Sequence, residues 1–292
     1  MRKRVITYCP GSCGELIQGL IKGKELLISY PIELSTTLYI ELSETEAKIK
    51  LMPKIEEALR KTLNFLGIPE RYKERIVIRR ESLLAFGKGM SSSTADIAST
   101  ILGIGALFDA ELDNNTIADI AVSIEPTDSI VFEDLTLFDS LKGEVALKLA
   151  PVPHLKVVVL EGKGSIDTLE YHSKINNILY SYAEEWEDIY LKMEYALRNG
   201  DWFRVGESAI RSARIQQKIL PKPYLEDIIE CALDSGAYGI NVAHSGTAVG
   251  IFMSEEIDES IIIKRLKELK IIESYGRFFV TSMIKGGPRI IG

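Results

Sequence analysis

Gly87-Lys88-Gly89-Met90-Ser91-Ser92-Ser93-Thr94-Ala95-Asp96-Ile97-Ala98-Ser99-Thr100 is the stretch on which the reading of this chain turns. Two glycines lead into three serines and a threonine. Apolar residues then recur at Ile97, Ile101, Ile104 and Phe108, the i, i+4, i+7, i+11 spacing of one helix face. The pattern predicts a loop feeding a helix from about Ser91 to Phe108, with a serine as N-cap. Two uses of that structure stay open. One is an ordinary capped core helix. The other is a phosphate cradle, because a helix N-terminus has unpaired N–H groups and about half a positive charge. Glycines before it let a polyanion reach the backbone, and hydroxyls add donors or a metal ligand. The spacing excludes the commonest loops of this kind. G-x-x-x-x-G-K-[ST] would need a glycine where Ser82 stands and a hydroxyl residue where Gly89 stands, and Ser92 occupies the third glycine of G-x-G-x-x-G.

Working outward, 292 residues suggest two domains. Apolar residues are 46% and charged residues 26%, a balance that supports a sizeable core. A net charge of −7 argues against nucleic acid or an anionic membrane as the main partner. Cys9, Cys13 and Cys231 are too few for a disulfide framework and point to a reducing compartment. With no signal-like run and no apolar run of roughly 20 residues, the expected location is the cytoplasm.

Along the chain, Val5–Tyr8 reads as a short strand broken by a turn-rich Cys9–Glu15, followed by strands at Leu26–Tyr30, Ser35–Leu42 and Ile49–Met52. Pro53 opens a helix with Ile55, Leu59, Leu63 and Leu66 on one face and Gly67 as its stop. A strand at Arg75–Arg79 precedes the glycine-serine loop. A helix from Asn114 or Asn115 ends before Pro126, and a strand at Glu144–Leu149 leads to Pro151-Val152-Pro153, the expected domain boundary (1–150 and 151–292). The second half reads as a buried strand at Leu155–Leu160, a loop at Gly162–Ser165, and helices at Lys174–Arg198, Trp202–Lys218 and Tyr224–Leu233. Strands at Gly239–Ala243 and Ala248–Met253 flank a loop at His244–Thr247. A helix at Ser260–Leu269 and a strand at Arg277–Ile284 follow, an α+β arrangement overall.

Three further stretches carry candidate chemistry. Pro10-Gly11-Ser12-Cys13-Gly14-Glu15 is a turn or a ligand-facing loop, and Cys13 would be a nucleophile only with a positioned base. Glu125-Pro126-Thr127-Asp128 places two carboxylates within one turn: solvated loop acids, or a magnesium ligand at Glu125 and a hydroxyl-orienting group at Asp128. Gly239 to Gly250, around His244-Ser245-Gly246-Thr247, is a loose hairpin or a glycine-rich ligand loop.

Taken together, these loops resemble the GHMP kinases, the family of galactokinase, homoserine kinase and mevalonate kinase. Pro10-Gly11-Ser12 stands at the family's first motif, Gly87–Ala95 looks like its glycine-serine phosphate loop, and Ser245-Gly246-Thr247-Ala248-Val249-Gly250 looks like its third motif. Within the family, Pro10–Gly19, Gly87–Met90, Ser92–Asp96, Glu125–Ser129 and Val242–Gly246 resemble the L-threonine kinase branch, which makes threonine O-phosphate for cobalamin. The resemblance implies a two-domain α+β fold, with an N-terminal βαβ-bearing domain, a ferredoxin-like C-terminal domain and the active site in the cleft between. It makes Gly87, Lys88, Gly89, Met90, Ser91, Ser92, Ser93 and Thr94 the ATP-binding loop. Ser93 and Glu125 become the Mg2+ ligands, and Asp128, with Ser93, the catalytic group. Ser12, Gly14, Glu15, Ser245 and Gly246 line the acceptor side. ATP and Mg2+ are the implied cofactors and L-threonine the implied small-molecule partner, with homoserine or another hydroxy acid as alternative acceptor. A non-catalytic nucleotide-binding relative and a cysteine hydrolase remain the readings from other classes. Monomer and homodimer stay open.

Overall fold

The computed structural model describes residues 3–47, 50–164 and 180–292. A long hairpin forms its axis. β1 (Lys3–Ile21) and β2 (Lys24–Leu42) run antiparallel and turn at Lys22-Gly23, both at positive φ, the geometry that a two-residue hairpin turn requires. The expected break at Cys9–Glu15 is absent: the strand passes through it. Pro10, Gly11 and Gly14 shift the pairing register between Pro10 and Gly11 and again between Ser12 and Ile17 without ending it. Such bulges bend a strand and re-aim its side chains, which is how a turn-rich sequence stays inside a sheet.

Both edges of this hairpin are extended. On β2, β3 (Ile76–Ser82) pairs with Thr36–Leu42 and β4 (Leu135–Asp139) pairs with Leu26 and Leu27. β3 and β4 thus run parallel to each other, with α2 (Ser92–Leu107) and α3 (Asn114–Val122) connecting them. β5 (Ala146–Ala150) continues the sheet beyond β4. On β1, Glu15 pairs with Val242 of β7 (Gly239–Val242), and Thr7 and Tyr8 pair with β10 (Arg289–Ile290).

The second half supplies β6 (Lys156–Gly162), α4 (Ala183–Asn199), α5 (Trp202–Gln216), α6 (Leu225–Asp234), β7, β8 (Ala248–Met253), α7 (Glu259–Glu268) and β9 (Tyr275–Ser282). Its antiparallel strands lie in the order β9-β6-β8-β7. That is the βαββαβ, ferredoxin-like arrangement, with extra helices in its first crossover. Because β7 also pairs with β1, the ten strands of the described residues form one sheet that runs from one half of the chain into the other.

Several expectations shift. Leu135–Asp139, a five-residue run, is a fully buried strand that apolar periodicity does not reveal. Leu51 and Met52 join no strand, although Met52 keeps extended dihedrals as the N-cap of the following helix, and Ile49 lies outside the described residues. The expected helix from Lys174 is described from Ala183, with 174–179 outside the described residues, as is Ser165 of the expected Gly162 loop, whose glycine ends β6. α1 (Pro53–Phe65) carries Pro53 at its first turn and buries Ile55, Leu59 and Leu63, as the sequence predicts.

Candidate active site

The helix that organises the sequence is wedged between two apolar clusters. Ile97 and Ile101 of α2 join the central core, while Ile104 and Leu107 pack with Ile55, Leu59 and Leu63 of α1 and with Leu38 and Ile40 of β2. Each isoleucine so buried contributes on the order of 1.5–3 kcal/mol. The first turn is pinned separately. Asp96 accepts from Arg80 Nε at 2.8 Å through both carboxylate oxygens and from Thr36 Oγ1 at 2.9 Å, tying α2 to β3 and β2. The N-terminus of α2 is therefore held before any ligand arrives.

Ser91 is the N-cap residue, yet its hydroxyl caps nothing. It sits at φ 53° and shares a 2.5 Å hydrogen bond with Ser12 Oγ on the bulged part of β1. Among the described residues the amide N–H groups of Ser92, Ser93 and Thr94 have no hydrogen-bond partner, and the first intrahelical bond is Ala95 N–H to Ser91 O at 2.9 Å. The loop ahead of them faces its carbonyls into the protein. Met90 O accepts from Ser12 N at 3.1 Å, Gly89 O from Gly14 N at 3.1 Å, and Lys88 O from Thr247 N and Ala248 N at 3.0 and 3.1 Å. In a trans peptide the N–H points opposite to the C=O, so the N–H groups of Met90 and Ser91 are turned away from these anchors. They face a cavity of about 330 Å³ lined by Gly87, Gly89, Met90, Ser91, Ser92, Ser93 and Thr94 on one side and by Glu125, Pro126, Thr127 and Asp128 on the other. Donors converging on a helix N-terminus make an anion site.

The acidic pair meets this cradle. Ser93 Oγ donates to Glu125 Oε1, and Lys54 Nζ of α1 forms an ion pair with Glu125 Oε2. Asp128 N–H donates to Thr94 Oγ1 at 3.2 Å, so the first turn of α2 also positions the second acid. Burial, and then the negative charge of Glu15, push the Asp128 carboxyl up to about 7. A carboxyl titrating near neutrality beside a cavity suits proton transfer.

Not every residue that the sequence singles out faces the cavity. Ser245 does. Gly246 packs against the loop from behind: a Cβ on it would come within 2.3 Å of Gly89 N and Lys88 O. Lys88 turns its ammonium away, donating to Gly162 O and Gly164 O at 2.6 Å each. Ser12, Gly14 and Glu15 lie beneath the loop and brace it, and Ser12 and Glu15 are buried there. Glu15 Oε2 accepts from His244 N at 2.9 Å and pairs with His244 Nδ1 at 3.0 Å, joining the first and third motifs. Cys13 is fully buried and its thiol is pushed up to about 12 by burial, which removes the cysteine hydrolase reading. Lys54, Gln18, Phe86, Thr127 and Ser140 line the cavity without having been predicted. Gln18 and Thr127 stand in stretches that the sequence singles out, and Lys54 carries a signal of its own: a lysine in a helix's first turn, where acids are favoured.

Comparison with known proteins agrees with this geometry. Residues 53–132 match the family model described as GHMP kinases N terminal domain, and residues 193–271 match GHMP kinases C terminal. An L-threonine kinase of Citrobacter freundii is 33% identical over 98% of this chain and 99% of its own. The chain belongs to the GHMP kinase family. An L-threonine kinase of Salmonella typhimurium is 32% identical to this GHMP kinase over 98% of the chain and 95% of that protein. Among solved structures, a homoserine kinase from Cytophaga hutchinsonii superposes with a TM-score of 0.76 at 17% identity, covering 100% of this chain and 98% of that one. The expected fold and family are those found. No helix of the described residues is long and apolar enough to cross a membrane.

Proposed function

We propose that this GHMP kinase transfers the γ-phosphoryl group of ATP to the side-chain hydroxyl of L-threonine, giving L-threonine O-phosphate and ADP. The observation that carries the reading is the row of unpartnered N–H groups from Ser92 to Thr94 opening onto a cavity walled by Glu125 and Asp128. The full-length similarity to two L-threonine kinases supports the acceptor, and the product's use in cobalamin assembly goes with it. Residues 1–150 are assigned the nucleotide and residues 151–292 the closing wall behind the third motif.

The bond from the γ-phosphorus to its bridging oxygen breaks as the threonine oxygen bonds to phosphorus. The bridging electrons leave with ADP, and the hydroxyl proton passes to Asp128. The transition state is loose, so positioning and charge stabilisation do most of the work. The amides of α2 and its preceding loop hold the triphosphate. Ser93 Oγ and the Glu125 carboxylate already meet, and hard oxygen donors of this type fit Mg2+ with phosphate oxygens completing its shell. Ser93 and Glu125 would hold a magnesium ion there, which would supply charge neutralisation of the bound phosphates.

Purified protein with ATP and Mg2+ should release ADP on adding L-threonine, faster than on adding homoserine or serine. Preference for homoserine would replace the acceptor and leave the kinase standing. No ADP release with any hydroxy amino acid would return the chain to a nucleotide-binding relative without catalysis. Asp128 gives this reaction a pH signature. At sub-saturating ATP·Mg, kcat/KM reports the free protein and should fall on the acid side with a midpoint near 7. Its folded pKa is raised, so between about 4 and 7 the folded state holds a proton that the unfolded chain has lost, and stability declines as pH rises through that window. Asp128→Asn should therefore melt higher than the native protein at pH 8 while losing the acid limb and most turnover. Undiminished turnover would take Asp128 out of the proton-transfer role.

A further inference from the structure

The charge balance of the cavity is incomplete on the reading above. Bound ATP brings about four negative charges at neutral pH, and Glu125 and Asp128 stand beside it. One magnesium ion and the half-charge of a helix N-terminus do not cancel them. The loop's own lysine is unavailable, because Lys88 Nζ is held by two carbonyl oxygens on the far side, at Gly162 and Gly164. Arg80 is committed to Asp96. Among the described residues one cationic side chain lines the cavity, and it is Lys54.

We propose that Lys54 is a phosphate-binding catalytic residue: its ammonium, which neutralises Glu125 in the free protein, moves to the γ-phosphoryl oxygens when ATP binds, and the carboxylate it leaves would then be open to a magnesium ion. Three observations support it. Lys54 pairs with Glu125 Oε2, while Ser93 occupies Oε1, so the ammonium neutralises the same carboxylate that the metal would claim. The lysine side chain is about half exposed, at 53%, while the Glu125 side chain is 13% exposed, so the lysine is the mobile partner and can leave a carboxylate that stays in place. Its position in the first turn of α1 runs against the helix dipole, whereas Glu56 beside it follows the usual preference. A residue that breaks a local rule in an otherwise regular helix is expected where it serves a site. Buried apolar residues on the opposite side of that turn, Ile55 and Leu59, fix the helix against α2, so the lysine stem starts from a rigid base.

The inference rests on the kinase reading, and the two can fail separately. Lys54→Met and Lys54→Arg would be compared with the native chain by calorimetric titration with magnesium-free ATP and with adenosine, and by ADP release at saturating L-threonine. Lys54→Met should bind magnesium-free ATP about tenfold more weakly and adenosine unchanged, and should lower kcat about 100-fold, a magnitude typical of one lost transition-state donor. Lys54→Arg keeps the charge in a different geometry and should recover part of the ATP affinity and some of the turnover. Because the side chain is half exposed, both variants should melt close to the native protein; a misfolded methionine variant would be replaced by Lys54→Gln. Native-like ATP affinity and kcat in Lys54→Met would overturn the Lys54 role alone. So would a defect that vanishes on raising Mg2+, since Lys54 would then only tune metal occupancy at Glu125. A native chain that binds no ATP would overturn the kinase reading together with it.

Discussion

Glu125→Gln should lower turnover with ATP and L-threonine by about 10³-fold while changing the apparent affinity for ATP by less than about fivefold. The glutamine keeps the shape of the side chain and an oxygen for Ser93, but it loses the charge that holds Lys54 and that would hold a divalent cation. Triphosphate binding by the α2 amides does not pass through Glu125, so the ground state is largely spared. Charge that builds on the phosphoryl oxygens during transfer loses its metal, so the transition state is not. Steady-state ADP release over a Mg2+ series separates these effects. The half-saturating Mg2+ concentration should rise steeply and saturating Mg2+ should restore only part of the rate. Glu125 is partly exposed and lies outside the apolar clusters, so the melting temperature should move little. Unchanged Mg2+ dependence with full activity would mean that the metal sits elsewhere.

Much of the site was legible in the chain because its chemistry is written in contiguous stretches. Residues 87–94 declare a glycine loop and a helix start, and the structure places all of them but Lys88 around one cavity. Glu125 and Asp128 arrive at the same place because Thr94 and Ser93, one helix turn, hold them both. What stayed hidden depends on tertiary placement. Lys54 sits on a helix whose apolar periodicity is ordinary, and only its packing on α2 brings the first turn to the cavity. The Cys9–Glu15 segment reads as a break, since proline and glycine end strands in isolation. Here β2 supplies a partner along the whole length and converts the break into bulges. The fold's joining element was equally invisible: the Glu15–Val242 pair that merges two halves into one sheet spans more than two hundred residues and leaves no local pattern.

The second large effect is expected far from the reacting atoms. Gly246→Ala should abolish most turnover and cost about 2–3 kcal/mol of stability, although the residue touches neither phosphate nor acceptor in the mechanism. A Cβ at Gly246 would lie 2.3 Å from Gly89 N, Lys88 C and Lys88 O. All three are main-chain atoms, so no side chain can swing aside to make room. The Lys88–Gly89 peptide would have to move, and its carbonyl is the one that accepts from Thr247 and Ala248. Displacing it shifts Gly89 and Met90, whose carbonyls hold Gly14 and Ser12, and so turns the N–H groups ahead of α2 away from the triphosphate. Misplacing such donors by an ångström costs about 100-fold in rate. Gly164→Ala is the matched control, because a Cβ there meets nothing within 4 Å. Thermal melts and ADP release on the pair should show a large loss for Gly246→Ala and none for Gly164→Ala. Equal behaviour of the two would refute the claim that the third motif acts by pressing its backbone against the phosphate loop.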